Sequence, residues 1–344
     1  MQEILALQKK IVPELVRVLE KRYNILRTIF LNQPIGRRGL ANELSLSERV
    51  VRTEISFLKD QGLIEINTSG MNVTKIGEEI VDKLNSFIHE VKGLSDMEKE
   101  IKEKLSLKDV IIVSGDVDTN PSVLKDIGKA ASNYLKKIIK NNSIIALTGG
   151  SSVKEVVEAF EGVRNISNVL VVPARGGMGR NVEVQGNTLV ASLAKKVNGT
   201  YKMLHVPEDA SLEILNSLKQ EKSIKQVVES IHHADIFLYG VGNAFEMAQK
   251  RGLSDESISK LEKLKAVGEA FGFYFDKDSK VVSNRTAIGI NINEARKINT
   301  HIVVAGGKNK VESIIVTQRN NKNGVLVTDE ATGHEILKVL NNVK

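Results

Sequence analysis

RRGLANELSLSERVVRTEISFLKDQGLIEI, residues 37–66, reads as helix, turn, helix and strand. Residues 37–44 turn Leu40, Ala41 and Leu44 to one side, and Ser45-Leu46-Ser47 makes the turn. Ser47 suits the N-cap of the next helix, and Glu48 adds a negative charge in its first turn, where the helix dipole favours one. That helix runs to about Gln61, where Gly62 stops it. Val51, Ile55 and Leu58, at i, i+4 and i+7, form a buried stripe. Arg49, Arg52, Thr53 and Ser56 form a different face with two guanidiniums and two hydroxyls. This is base-reading chemistry: arginine can give guanine two bonds, and a hydroxyl can bond a base or a phosphate. Arg38 and Ser47, at the two helix starts, join them as candidate DNA contacts.

Upstream, residues 23–31 predict a short helix with Ile25, Leu26, Ile29 and Phe30 on one face. Asn32-Gln33-Pro34-Ile35-Gly36 breaks it. Downstream, residues 63–66 and 73–74 predict two strands around a polar tip at 67–72, the wing of a winged helix-turn-helix. Residues 76–105 predict a charged helix with an apolar seam of Ile80, Leu84, Phe87, Ile88 and Val91. Such a seam packs on its own domain or pairs two subunits.

The 344 residues carry 49 Lys+Arg against 42 Asp+Glu, a formal net charge of +7. The excess is concentrated where the helix-turn-helix pattern sits. Lys21, Arg22, Arg27, Arg37, Arg38, Arg49 and Arg52 stand against Glu43 and Glu48 over residues 21–52, which suits a nucleic-acid surface. Hydrophobic content of 41% and charged content of 26% are those of a globular chain. No cysteine occurs, which excludes disulfides, thiolate catalysis and thiolate metal sites, and fits a reducing cytoplasm. No apolar run approaches the roughly 18 residues that span a bilayer. Met1-Gln2-Glu3-Ile4-Leu5 is acidic where a secretory leader is basic, so a cytoplasmic protein is expected.

From residue 108 onward β-rich runs at 110–113, 144–147, 169–172, 201–204, 236–239, 302–305 and 325–327 alternate with amphipathic helices. Leu124, Ile127, Ala131, Leu135 and Ile138 give one clean helical stripe. The alternation predicts an α/β, Rossmann-like parallel sheet wrapped by helices. Three segments are expected: a DNA-binding domain at 1–90, a helical linker at 91–107 and an effector domain at 108–344.

Ligands of such sheets bind beyond the carboxyl ends of the strands. Thr148-Gly149-Gly150-Ser151-Ser152 follows the second strand and opens a helix. Its glycines, hydroxyls and helix N-terminus suit a phosphate. Pro173-Ala174-Arg175-Gly176-Gly177-Met178-Gly179-Arg180 offers two more cations, and Asn181, Gln185 and Asn187 can bond sugar hydroxyls. Gly240-Val241-Gly242-Asn243 opens a helix with Lys250 and Arg251 at its far end. Glu269 stands in Gly268-Glu269-Ala270-Phe271-Gly272. Gly306-Gly307-Lys308-Asn309-Lys310 is a second glycine loop with positive charge. Together these loops describe a site for a sugar bearing one or two phosphates.

The histidines, His89, His205, His232, His233, His301 and His334, show no metal-ligand spacing. His232-His233 reads as a helix cap, and Asp276, Asp278 and Asp329 read as turn or cap residues. No metal and no cofactor is expected.

With the winged helix in front and TGGSS, PARGG, YGVGNA, GEAFGFYFD, AGGKNK and VTDEATG behind it, the chain resembles the SorC family of sugar-responsive regulators over nearly its full length. The resemblance implies a repressor of glycolytic genes, released from double-stranded operator DNA by fructose 1,6-bisphosphate. It implies an effector domain similar to sugar-phosphate isomerases and deaminases, and homodimers to homotetramers. By motif, Gly149, Gly150, Ser151, Ser152 and Lys310 would hold one end of the sugar. Arg175, Gln185 and either Lys250 or Arg251 would hold the rest, and Glu269 would accept from its hydroxyls. Ser151-Ser152 stands where threonine is common in relatives and keeps the hydroxyl donors. The alternatives are the same architecture with another phosphorylated or free sugar, and a sugar-phosphate isomerase or deaminase. The enzyme needs a general base beside the sugar, and Glu269 is the one evident candidate, with no histidine–acid pair beside it.

Overall fold

A computed structural model of the chain describes residues 11–163, 165–177, 181–206, 211–284 and 287–342. Met1–Leu5 and Met178–Arg180, part of the sequence argument above, lie outside these residues. Two compact units form, one of Met1–Met97 with Ser114–Val123 and one of Glu98–Val113 with Leu124–Lys344.

The first unit is built on α1 (Pro13–Asn32), α2 (Arg37–Glu43) and α3 (Glu48–Asp60), then a hairpin of β1 (Ile64–Asn67) and β2 (Gly70–Val73), then α4 (Lys75–Val91). α1 is longer than the helix expected at 23–31. It opens at Pro13, whose fixed φ suits a first turn. Its early turns keep Leu19 only half-buried and leave Leu15 exposed, so the apolar period that marks a helix fades there. Ser47 caps α3 by accepting from the Val50 N–H at 3.4 Å.

The wing has a tighter tip than expected, because Asn67 pairs with Gly70 across Thr68-Ser69. Met71, read as part of the polar tip, is buried and exchanges backbone bonds with Ile35. Ile25, Leu26, Ile29, Leu40, Val51, Ile55, Leu58, Ile64, Met71 and Ile88 form one core, with Ile80 and Leu84 packed against it. Three residues of the apolar seam are therefore spent on the winged helix itself. The expected single helix at 76–105 breaks at Lys92-Gly93, where Gly93 takes φ +67°, and α5 (Leu94–Leu105) follows.

The second unit holds β3 (Asp109–Val113), α6 (Val123–Ile138), β4 (Ile144–Leu147), α7 (Ser151–Ala159), β5 (Leu170–Pro173), α8 (Gly186–Lys196) and β6 (Thr200–Tyr201). After α9 (Leu212–Leu218) and α10 (Lys222–His232) come β7 (Ile236–Asn243), α11 (Ala244–Lys250) and α12 (Asp255–Lys263). Then follow β8 (Gly268–Ala270), β9 (Phe273–Phe275), β10 (Val281–Asn284), α13 (Ile292–Ala295), β11 (Thr300–Val304), α14 (Val311–Gln318), β12 (Gly324–Asp329) and α15 (Glu330–Asn342).

The main sheet runs β6-β5-β4-β7-β11-β12-β3, every neighbouring pair parallel. Its inner strands are buried along almost their whole length because helices cover both faces. The order reverses between β4 and β7, which is where such sheets open a crevice. Two expectations are corrected. The strand read at 201–204 is only Thr200–Tyr201, at the sheet edge. β7 does not end at Tyr239 but runs on to Asn243, and β8, β9 and β10 pair antiparallel beyond it. The glycines of YGVGN are strand residues here, and Gly268-Glu269-Ala270 is a strand as well.

Candidate functional site

Arg49, Arg52, Thr53 and Ser56 are all exposed on α3, while Val51, Glu54, Ile55 and Leu58 are buried beneath them. The Thr53 hydroxyl donates back to the Arg49 carbonyl at 3.1 Å, which leaves its lone pairs and methyl outward. Arg38, on α2, is exposed and pairs with Glu48 at 3.4 Å.

Glu54 was not singled out from the sequence. Its carboxylate faces the body of the domain, meeting Lys21 Nζ at 2.5 Å and Arg22 Nε at 3.0 Å. The Arg22 guanidinium also lies 3.5 Å from the centre of the Phe57 ring. Burial pushes the Glu54 carboxyl up, but the bonds and charges of Lys21 and Arg22 more than cancel it and hold the group below its ordinary value. The signal was present: Val51, Glu54, Ile55 and Leu58 share the inward period, and an acid there needs a partner.

In the second unit the candidate residues gather at the carboxyl ends of β4, β5, β7 and β11. Thr148 N–H donates to Leu238 O at 3.0 Å, tying the TGGSS loop to β7. Gly150, at φ +128°, precedes α7, and no side chain caps that helix. Ser151 is exposed and Ser152 nearly buried. The turn around Val182–Val184 closes on this loop: Gly150 N–H donates to Val184 O at 2.8 Å. A Cβ on Gly149 would stand 2.5 Å from that same oxygen. Gln185 follows directly, at the start of α8.

On the other side of β7, Gly307 takes φ +107° and opens the short helical turn Lys308–Lys310 ahead of α14. Its N–H donates to Thr332 Oγ1 at 2.8 Å and to Asp329 Oδ2 at 3.3 Å. Asp329 is a cap, as read, since it also accepts from the Thr332 N–H and hydroxyl. It is fully buried, and with Thr332 it organises the second glycine loop. The D-x-x-T spacing in VTDEATG carried that signal.

Glu269, on β8 beside the end of β7, is 2% exposed. Its Oε1 accepts from Arg251 Nη1 at 2.8 Å and from Gly272 N–H at 2.5 Å. Of the two cations left open, Arg251 is therefore brought to this carboxylate and Lys250 is exposed. Arg175 reaches the same place from β5, donating from Nη1 to Phe271 O at 2.9 Å.

Asn187 is spent elsewhere, bonding both backbone groups of Leu204, and Asn181 caps the Val182–Val184 turn. Asp276 accepts from the N–H groups of Asp278 and Lys280 and so holds a turn. His232 pairs with Glu294 at 2.9 Å, and His233 bonds the last-turn carbonyl of Glu229. Among the described residues no group of three or more His, Asp or Glu is placed to hold a metal. No helix among them is long and apolar enough to cross a membrane.

Two family models cover the chain. The CggR N-terminal DNA-binding domain matches residues 18–88, and a sugar-binding domain matches residues 89–338. The central glycolytic genes regulator of Bacillus subtilis (strain 168) is 41% identical over 98% of this chain and 99% of its own length. A SorC family transcriptional regulator from Enterococcus faecalis is 37% identical, with TM-score 0.67 over 70% of this chain and 99% of that one. The chain belongs to the SorC family. Its second named relative, the central glycolytic genes regulator of Priestia megaterium, is 39% identical over 99% of this chain and all of its own length. The chain thus joins the winged DNA-binding domain of a SorC regulator to that family's sugar-binding α/β domain.

Proposed function

We propose that this SorC family member is a repressor of glycolytic genes, released from operator DNA by fructose 1,6-bisphosphate. The observation that carries the reading is the pair of glycine loops flanking β7, each leading into a helix. Arg175, Arg251 and Glu269 converge on the Phe271-Gly272 turn. β4 and β11 are the two neighbours of β7, so the loops stand roughly 10 Å apart, two strand spacings. That spacing lets one hexose reach both loops, and the helix N-termini suit an anion. Ser151, Ser152 and Lys310 would hold the phosphate at one end, and Arg175, Gln185 and Arg251 the phosphate at the other. Both bonds to Glu269 end on Oε1, so Oε2 is the oxygen that a sugar hydroxyl meets.

A regulator fits this geometry better than an isomerase or deaminase. Glu269 is engaged by Arg251 and a backbone amide rather than poised to move a substrate proton. The Tyr239 phenol of β7 receives the Gln318 and Asn321 amides, and burial pushes it up to about 12, so it is no ready acid either. Two copies arranged with two-fold symmetry hold the operator, since a lone winged helix grips few phosphates. DNA as a partner places the protein in the cytoplasm.

A monophosphate reading has one observation in its favour: the Gly150 amide is already taken by Val184 O. The test titrates fructose 1,6-bisphosphate, each fructose monophosphate and free fructose against the protein–operator complex. The bisphosphate is expected to release DNA at the lowest concentration. A monophosphate of equal potency moves the assignment to a single-phosphate effector, and free fructose of equal potency removes the phosphate sites.

A further inference from the structure

The β8–β9 hairpin turns in two residues, Phe271 and Gly272, between the paired Ala270 and Phe273. Both take positive φ, +38° and +91°. For phenylalanine this conformation is uncommon, and something must hold it. The Phe271 ring supplies the hold. It is buried edge-on against Phe237 and Tyr239 of β7, with centroids 5.2 and 5.1 Å away, and against Phe273 at 5.4 Å. So anchored, the turn presents a carbonyl and an amide to the site. The Phe271 carbonyl receives Arg175, and the Gly272 amide reaches Glu269, which also receives Arg251.

Gly272 does more than permit the turn. A Cβ there would overlap Nη1 and Cζ of Arg175 and stand 2.9 Å from its Nη2. The guanidinium lies in the space a side chain would fill.

We propose that Gly272 is a specificity-determining position of the effector site: its absent side chain is the slot that seats the Arg175 guanidinium, and this seat selects sugars carrying a second phosphate. The inference rests on the two-phosphate reading above and adds a positioning residue to it. Any side chain at 272 displaces the guanidinium as a body, because the clash falls on its planar head rather than on its flexible stem. The Ser151-Ser152 loop and Lys310 loop are built from other strands and keep their geometry. The substitution therefore acts on one end of the ligand only.

The experiment is a double-mutant cycle of Gly272→Ala and Arg175→Ala in the full chain. It is read as the midpoint of thermal unfolding without ligand and as operator release by fructose 1,6-bisphosphate and by each monophosphate. Without ligand, Gly272→Ala should lower the midpoint in the wild-type background and lower it clearly less in the Arg175→Ala background. In operator release it should weaken the bisphosphate roughly ten- to a hundredfold, the worth of one charged hydrogen-bonding group, and leave the more potent monophosphate within about twofold. In the Arg175→Ala background it should add no further loss.

Equal midpoint shifts in both backgrounds overturn the slot, as does an unchanged preference for the bisphosphate in Gly272→Ala. Should Gly272→Ala not fold, because alanine strains the φ +91° backbone whatever stands at 175, Arg175→Lys alone carries the test: it keeps the charge but cannot fill the slot with a guanidinium, so it should lose the bisphosphate preference, and an unchanged preference overturns the slot. Coupled midpoints in a wild-type protein that shows no preference for the bisphosphate leave the slot standing. They remove the two-phosphate reading, and with it the role in specificity.

Discussion

At the residue scale, α3 carries two charges with opposite tasks. Arg52 faces outward, and Arg52→Ala should weaken operator binding by about 1–3 kcal/mol and relax discrimination between sequences, as a lost guanine contact does. A gel-shift titration with specific and scrambled DNA checks both numbers, and unchanged affinity and specificity remove Arg52 from the reading surface. Glu54 faces inward and holds Lys21 and Arg22. Its folded-state pKa lies below the ordinary value of 4.5, so its contribution to stability is present above that value and is lost as pH falls through the lower, folded-state one. Glu54→Gln should therefore narrow the stability gap between neutral and acid pH relative to wild type, measured by thermal melts over a pH series. An acid limb as steep in the variant as in the wild type would contradict that role. Arg52 was legible because an outward stripe needs only the helical period. The pairing of Glu54 was not, because its partners sit on α1, 32 and 33 positions away in sequence.

At the element scale, the second glycine loop depends on the junction of β12 and α15. Asp329 is buried, and its carboxylate accepts from the Gly307 amide and from the amide and hydroxyl of Thr332. Asp329→Ala strands those donors and should cost about 2–4 kcal/mol in denaturant unfolding. It should also blunt the effector response, because Gly307 loses one of its two anchors. A response of wild-type size in a folded Asp329→Ala protein would separate the loop from the effector site. Ser47→Ala, by contrast, removes only an exposed cap bond, and about 1 kcal/mol is expected from the same measurement. The parallel strands were readable as apolar runs between helical stripes. β8 and β9 were not, since three residues each show no period, and the glycines of β7 look like a loop until β8 pairs with them.

At the scale of the whole molecule, effector and operator are linked by thermodynamics whatever the path between the two units. If the sugar phosphate releases DNA by a given factor, saturating operator must weaken the sugar phosphate by that factor. About 5- to 150-fold is the usual range of such couplings. Calorimetric titration of the effector with and without operator DNA checks it, and equal effector affinity in both would leave the ligand without a switch. The sequence alone determined the two-domain plan, the reading helix and the loops with anion chemistry, because helical period, caps and glycine-opened helix starts are local properties of neighbouring residues. Only the tertiary structure decided which cation, Arg251 rather than Lys250, meets Glu269, and that Asn187 is used up by Leu204. It also decided that Gly272 leaves room for Arg175. Each joins residues on different strands and helices, and side-chain direction across such a gap is set by packing, which no local pattern encodes.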